Sequence, residues 1–313
     1  MVITDAAPLP RAGRHRAGGR LARAGLSDRV DRGSTVVTSG PGTAGALVEQ
    51  YFESDAAFWS DVYRRADIFS VGIQRRQATA LTWVDGLGLP LQTPILEVGC
   101  GTGMLSVALA QRRLSVRALD AVAEMVARTQ RRAADVGVAA HLKAGVGDVH
   151  QLEAKNATFG VVVALGVLPW LHSPAIAIRE MARVLRPGGW LIVSADNQRS
   201  LVNLVDPFRN PFVDPLKQAV IRLLRRPRPA GARPRGDRRA MIDGLLAEAG
   251  LTPVARTSCG FGPLWIAGHR ILPARSGLAL EQRLQTLADR GVPGLRSGGW
   301  HYMVLARKAA VTS

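Results

Sequence analysis

A glycine-rich turn is the segment of this sequence with the clearest chemistry. Residues 95–103 read ILEVGCGTG, so Glu97 stands two residues before a G-x-G-x-G pattern. Such glycines permit a tight turn between a strand and a helix, and they let a ligand approach the backbone closely. The dinucleotide-binding pattern G-x-G-x-x-G would need a glycine at position 104, where the chain has Met104. The spacing therefore disfavours a dehydrogenase.

Two further carboxylates follow at positions that suit a nucleoside. Asp120 ends the second apolar run, where a carboxylate can accept hydrogen bonds from both hydroxyls of a ribose. Asp148 follows the third apolar run, and there it could accept from the exocyclic amine of adenine. The sequence contains no G-x-x-x-x-G-K-[ST] phosphate loop, which disfavours ATP. These residues predict a nucleoside site without a phosphate cradle.

The elements that would position these residues alternate along the chain. From Thr93 onward, short apolar runs are separated by stretches long enough for crossover helices, which predicts a parallel sheet covered on both faces. One helix has Ser173 as its N-cap and Pro174 at its first position, and Gly188-Gly189 is its expected end. The predicted strands are Pro94–Gly99, Ser115–Asp120, Ala139–Gly145, Phe159–Leu165, Trp190–Ala195, Leu251–Cys259 and His301–Arg307.

Residues 90–200 resemble the class I S-adenosylmethionine-dependent methyltransferases, particularly the group that acts on small molecules. The resemblance rests on the glycine turn, the two aspartates, the fourth-strand motif 159–168 and the segment REMARVLRPGGWLIVS at 179–194, with a weaker similarity at 301–308. It implies a Rossmann-like α/β fold with a seven-stranded, mostly parallel sheet, an antiparallel last strand, helices on both faces and a helical cap or lid. It also implies S-adenosyl-L-methionine as the cofactor. The cofactor-binding residues implied are Glu97, Gly99, Cys100, Gly101, Gly103, Asp120, Ala121, Met125, Gly147, Asp148, Val149 and Leu165.

The chain departs from the family pattern at two places. Family members usually carry an acidic residue directly after the aromatic that opens the fourth strand, and here that residue is Gly160. The turn after this strand often has one or two early histidines in relatives, whereas here only His172 remains. Both departures weaken the case for a catalytic side chain at the usual positions.

Candidates for the acceptor side are few. A histidine could take a proton from an acceptor hydroxyl, and His172 is the best placed, followed by His269 and His301. A structural or surface role is the commoner alternative for each of them. Asn197 is a second candidate for substrate contact. No His, Cys and Asp cluster has metal-ligand spacing, so a metal-dependent mechanism is disfavoured.

Composition divides the chain into segments. Apolar and aromatic residues between Leu47 and Tyr63 recur near helical period. Such a stripe usually packs in the core, and the alternative is that it covers a bound ligand. The predicted organisation is a disordered basic tail (1–44), an N-terminal helical cap (45–92), the S-adenosylmethionine-binding core (93–196), a basic insertion or lid (197–236), a core helix and strand (237–259), a second insertion (260–299), and the last strand and tail (300–313).

The net charge of +17 is concentrated in the tail and in residues 209–239. Within the second segment, Pro215–Arg226 has the pattern of a basic amphipathic helix, for which we predict a transient contact with an anionic membrane or acceptor. An ordinary surface helix, with the basicity reflecting codon bias, is the alternative. The basic run 222–239 lacks interleaved aromatic residues, so nucleic acid is disfavoured as a partner.

The sequence thus predicts an enzyme that moves a methyl group from S-adenosylmethionine to a small or medium-sized organic acceptor, such as a small molecule, sugar or lipid, at oxygen. An RNA methyltransferase and a non-catalytic S-adenosylmethionine-binding protein remain as alternatives. Two cysteines, and the lack of a spanning or secretory apolar stretch, favour a cytoplasmic location.

Overall fold

A mixed sheet lies at the centre of the computed structural model, which describes residues 41–207, 209–213, 234–266 and 269–310. Within those ranges the sheet has eight strands, seven of them in the order β3-β2-β1-β4-β5-β10-β7, while β6 pairs with β5. The strands are β1 Pro94–Val98, β2 Ser115–Asp120, β3 Leu142–Val146, β4 Phe159–Ala164, β5 Leu185–Asn197, β6 Gly236–Asp237, β7 Leu251–Cys259 and β10 His301–Lys308. A separate hairpin pairs β8 Trp265–Ile266 with β9 His269–Arg270.

The direction of the last strand matches the expectation. Strand β10 runs antiparallel to both β5 and β7, and the other neighbouring strands of the sheet pair in parallel. The predicted seven-stranded Rossmann-like sheet is confirmed, and the two-residue β6 is a short addition to it. Because β10 is reversed, its first residue, His301, lies at the edge where the parallel strands end, opposite Asp196 of β5.

Helices cover both faces of this sheet. On one face Leu96, Val162 and Leu191 form a buried cluster with Ile178 and Ile242, which belong to two of the helices. The helices are α1 Pro41–Ser54, α2 Ala56–Asp61, α3 Ile68–Gly86, α4 Met104–Ala110, α5 Ala123–Asp135, α6 Pro174–Val184, α7 Leu201–Val205, α8 Arg239–Glu248 and α9 Ala274–Asp289, with a 3-10 turn at Leu168–Trp170.

The strand side chains that point to the opposite face of the sheet form a second buried cluster. Among them, Ile95, Val161 and Ile192 pack with Ala80 of α3 and Leu105 of α4. Alternate residues of a strand point to opposite faces, so an apolar run on a central strand fills both layers. The site residues are therefore carried on strands that are buried on both sides.

The end of α6 differs from the prediction. The helix begins as expected, with the Ser173 side chain accepting from the Ile176 amide at 3.4 Å, but it stops at Val184. Leu185 is extended, fully buried and paired with Phe159 of β4, so the chain passes directly from the helix into β5. Gly188 and Gly189 therefore lie within β5, and their assignment as the helix stop was wrong.

Two of the flanking segments also differ from expectation. Helix α1 begins at Pro41, inside the predicted disordered tail, and proline is favoured at a first helical position. The helical spacing of Leu280, Leu284, Leu287 and Ala288 predicts the helix α9, and of these residues Ala288 is buried but Leu287 is exposed. The other buried residues of α9 are Gly277, Glu281 and Gln285. The rest of the tail, residues 1–40, and the predicted helix Pro215–Arg226 lie outside the described residues.

No helix in the described ranges is both long and apolar enough to span a bilayer.

Candidate functional site

The three glycines of the turn between β1 and α4 share a positive φ but differ in the space around them. All three have positive φ, at +68° for Gly99, +54° for Gly101 and +78° for Gly103. A Cβ at Gly99 would collide with the Val167 side chain, and one at Gly103 would lie 2.9 Å from the Thr129 Cα. A Cβ at Gly101 would meet nothing within 4 Å. The turn is therefore packed tightly at both ends and is open in the middle, where a ligand can reach the backbone.

Asp120 lies beside this open position. Its Oδ2 accepts from the Gly101 amide at 2.8 Å and its Oδ1 accepts from the Val122 amide at 3.0 Å. Burial raises the pKa of the carboxyl, while the backbone amides around it act in the opposite direction. A carboxylate has about four acceptor positions. Besides its bonds to the backbone amides, the Asp120 carboxylate keeps acceptor capacity for a ribose hydroxyl.

Glu97 faces α4 from the end of β1. Its carboxylate accepts a hydrogen bond from the Ser106 hydroxyl of α4, and the side chain is buried. Burial, with a smaller contribution from the negative charge of Asp120, raises the pKa of Glu97 to about 8. Glu97 is therefore mainly protonated at neutral pH and joins β1 to α4 without placing a charge in the site.

The Cys100 thiol lies on the inner side of the turn. It is buried 3.6 Å from the Thr129 hydroxyl, and burial raises its pKa well above the usual value. A thiol in this state is a poor nucleophile, because the reactive form is the thiolate. Cys100 therefore contributes packing and its backbone to the turn.

The segments that follow β2, β3 and β4 carry the other predicted cofactor residues. Ala121 is exposed, Leu165 is partly buried, and the Gly147 amide donates to the Asp120 carbonyl at 3.0 Å. Val149 and Met125 are buried. Met125 packs with Val122, Ala56 and the rings of Phe52 and Trp59. The structure thus brings the predicted residues to one edge of the sheet.

Asp148 forms a cluster with two histidines. Its Oδ1 accepts from the His150 amide at 2.8 Å and lies 2.7 Å from His150 Nδ1, and these contacts lower the pKa of the carboxyl despite an opposing effect of burial. The His150 ring stacks on His172 with centroids 3.8 Å apart. His172, the best-placed base in the sequence, is exposed and lies in this cluster, next to the predicted adenine-reading carboxylate.

A row of aromatic rings lies at this edge of the sheet. The rings come from the N-terminal helices, the 3-10 turn after β4 and the segment before β10. Consecutive ring centroids lie 4.9, 5.5, 6.4 and 5.4 Å apart along the row, which we call the aromatic wall. The wall consists of Trp170, Phe52, Trp59, Phe69 and Trp300, in that order. It extends the aromatic stripe of the sequence from the cap across to the segment before β10.

Arg76 is a site residue that sequence reasoning missed. It belongs to the buried face of α3, between Ile73 and Ala80. Its guanidinium packs against Gly166, just after β4, where an added Cβ would lie 2.5 Å from Nη1. Within the described ranges it forms no ion pair with a carboxylate. An arginine in an apolar helical stripe was the available signal.

The remaining acceptor-side candidates separate in space. Asn197 is buried, and its Nδ2 donates to the carbonyls of Ser297 and Gly299 at 3.0 and 2.9 Å, so its amide ties the end of β5 to the segment before β10. His269 is exposed in the β8–β9 hairpin. His301 is buried at the edge of the sheet beside Asp196.

The sequence matches the family model of the methyltransferase domain over residues 96–193. It is 33% identical over 176 residues to a demethylmenaquinone methyltransferase of Beutenbergia cavernae, covering 53% of this chain and 68% of that protein. It is 31% identical over 121 residues to a ubiquinone biosynthesis O-methyltransferase of Paracidovorax citrulli, covering 38% and 50%. The match spans about half the length of several such curated relatives.

A solved structure shares the fold at low sequence identity. The magnesium protoporphyrin IX methyltransferase of Synechocystis PCC 6803, with bound SAH, superimposes with a TM-score of 0.58 at 18% identity, covering 85% of this chain and all of that one. A second structure of that enzyme contains bound SAM. This chain belongs to the class I S-adenosylmethionine-dependent methyltransferases, and S-adenosyl-L-methionine is its cofactor.

Proposed function

We propose that this protein transfers a methyl group from S-adenosylmethionine to an oxygen atom of a small or medium-sized organic acceptor. The observation that carries the proposal is the Asp120 carboxylate, which backbone amides hold in place beside the open backbone at Gly101. Relatives named as ubiquinone biosynthesis O-methyltransferase and phosphatidylethanolamine N-methyltransferase favour a lipophilic small molecule as the acceptor.

Each part of the cofactor has a candidate partner in this proposal. Asp120 holds the ribose hydroxyls, and Met125 packs beside the adenine. Asp148 accepts from the adenine amine through Oδ2, because Oδ1 is used by His150. The glycine turn approaches the methionine end, and Arg76 supplies the positive charge for the methionine carboxylate. A buried cation needs such a partner, because burial of an unpaired charge is costly.

The chemistry asked of the protein is mainly positioning. S-adenosylmethionine supplies a methyl group on a sulfonium, which is already an activated leaving group. The protein must hold the acceptor oxygen in line with the methyl carbon, at a separation of about 3–3.5 Å, and exclude water. The aromatic wall provides an apolar cover for both tasks.

The proposal is tested by following a labelled methyl group. The purified protein is incubated with S-adenosyl-[methyl-tritium]methionine and with lipid, small-molecule and RNA fractions of a bacterial extract, and labelled products are separated from the cofactor. We expect label in the lipid or small-molecule fraction, in a product whose bond to the methyl is an ether or ester. Label in RNA would favour the RNA methyltransferase, and cofactor binding without transfer would favour a non-catalytic protein.

A further inference from the structure

His301 and Asp196 form a buried pair at the edge of the sheet where the cofactor site lies. They face each other across the β10–β5 ladder, and His301 Nδ1 lies 3.2 Å from Asp196 Oδ1. The side chains of His301 and Asp196 are 3% and 15% exposed. Two residues before Asp196, Ser194 accepts from the Gly166 amide at 2.7 Å, which connects this pair to the turn after β4.

The surroundings of His301 fix its ring and its tautomer. The ring stacks on Trp300 with centroids 4.7 Å apart and an interplanar angle of 19°. The Asp196 carboxylate is an acceptor, so the proton of a neutral His301 lies on Nδ1 and the lone pair on Nε2. Nε2 is buried and has no hydrogen-bond partner among the described residues. A buried acceptor without a partner is costly, and it is a position where a ligand hydroxyl can supply the missing donor.

The charges around His301 favour a neutral ring that can still take up a proton. Groups that face it are Arg76 from α3, Asp196 from β5 and Cys259, its register partner on β7. Burial lowers the pKa of His301, Arg76 lowers it further, and the hydrogen bond and charge of Asp196 raise it. His301 is thus neutral at pH 7, and Asp196 stabilises the imidazolium that forms when a proton arrives.

We propose that His301 is the general base of this enzyme, that Asp196 orients it, and that the acceptor is a flat phenol or enol that packs against the aromatic wall with its hydroxyl at His301 Nε2. This inference rests on the proposed methyl transfer. The acceptor hydroxyl gives its proton to His301 Nε2 as its oxygen forms the bond to the methyl carbon. The bond between sulfur and that carbon breaks, and its electron pair goes to sulfur. The products are a methyl ether, S-adenosylhomocysteine and a protonated His301, which then releases its proton to water.

The acceptor class follows from the same surroundings. The rings of Phe69 and Trp300 contact each other with centroids 5.4 Å apart and an interplanar angle of 51°, and their free faces suit a planar group. A phenol has a pKa of about 10, so at neutral pH it is largely un-ionised and benefits from a base.

The test compares two acceptors that differ in their need for a base. Para-cresol is un-ionised at neutral pH, whereas para-nitrophenol is much more acidic and is substantially ionised. His301→Gln should lower kcat for para-cresol by about 10²–10⁴-fold, which is the usual contribution of a general base. It should reduce kcat for para-nitrophenol far less and leave cofactor affinity, measured by calorimetry, unchanged. His141→Gln, at the opposite edge of the sheet, is the control and should change neither rate.

Asp196→Asn provides a second route if His301→Gln folds poorly. It should also slow para-cresol selectively, and it should alter the lower limb of the pH profile of kcat for that acceptor. Equal losses with both acceptors, or no loss with either, would overturn the role of His301. If the wild type methylates benzylamine or thiophenol but neither phenol, the proposed acceptor class is wrong, although the protein is still a methyltransferase. Absence of cofactor binding in the wild type would instead refute the proposed function itself.

Discussion

The Gly101 amide donates to Oδ2 of Asp120 at 2.8 Å, and this bond joins the glycine turn after β1 to the end of β2. The carboxylate is thereby fixed by the backbone at the one position of the turn where space is open. A ribose could then bind to an acceptor that is already oriented. Side chains that are oriented before binding lose little entropy when the ligand arrives.

Replacing Asp120 tests this arrangement. Asp120→Ala should weaken the binding of S-adenosylmethionine by about 1–3 kcal/mol, because the ribose hydroxyls lose their acceptor. Calorimetric titration of the folded variant gives the affinity. Asp135→Ala, an exposed aspartate at the end of α5, is the control and should bind as the wild type does. Equal affinity in the two variants would exclude Asp120 from the cofactor site.

The tight ends of the turn lead to a stability prediction. Gly103→Ala should destabilise the fold for two reasons: a positive φ costs an alanine about 1–2 kcal/mol, and overlap with Thr129 adds about 1–3 kcal/mol. Gly137→Ala is a matched control, because Gly137 has a similar φ of +70° but nothing within 4 Å of an added Cβ. Urea denaturation of both variants isolates the overlap. If both variants lose the same free energy of unfolding, the Thr129 side chain moves aside at no cost and the packing argument is wrong.

These cases show what the sequence could and could not predict. The strands and the glycine turn follow from local spacing, because apolar period and backbone freedom are set by neighbours in the chain. The pairing of Asp196 with His301 joins residues 105 positions apart, and it depends on the reversed direction of β10. Sequence reasoning ranked His172 above His301, because its position in the turn after β4 was visible and the contacts of His301 were not.

The buried face of α9 was missed for a related reason. The helical spacing marks Leu280, Leu284, Leu287 and Ala288. The packed face also contains Gln285, whose side chain accepts from the Gly260 amide at 3.2 Å and donates to the Ser258 carbonyl at 3.4 Å. The same face contains Gly277, where an added Cβ would lie 2.8 Å from the Ile68 side chain. Polar groups that satisfy a neighbouring strand end and small residues at a close approach carry no apolar signal.

Glu97 should make stability depend on pH. Its pKa is about 8 in the fold against a usual value of 4.5, so the folded state holds one more proton between these values. Its stabilising contribution is complete below pH 4.5 and is lost as pH rises through about 8. The free energy of unfolding, measured with urea from pH 5 to 9, should therefore fall more steeply in the wild type than in Glu97→Gln. Asp120, whose pKa is also raised, leaves part of the slope in the variant.

The control for this measurement is Glu49→Gln, which changes an exposed carboxyl of α1. It should reproduce the pH dependence of the wild type. If Glu97→Gln also follows the wild-type curve, Glu97 is ionised in the folded protein. Its hydrogen bond with the Ser106 hydroxyl is then made by a carboxylate.

Burial of the Arg76 charge lowers the stability of the fold, and we expect the same charge to bind the cofactor. Its guanidinium is buried on α3 without a carboxylate partner among the described residues, so Arg76→Met should leave the free energy of unfolding unchanged or raise it. The same change should weaken S-adenosylmethionine by about 1.5–3 kcal/mol, because the methionine carboxylate loses a charged hydrogen bond. Adenosine, which lacks that carboxylate, should bind equally to both proteins. The neighbouring Arg75, a third exposed and 3.5 Å from Asp289, supplies the control: Arg75→Met should leave cofactor affinity unchanged. Parallel losses for S-adenosylmethionine and adenosine would mean that Arg76 shapes the site without touching the carboxylate.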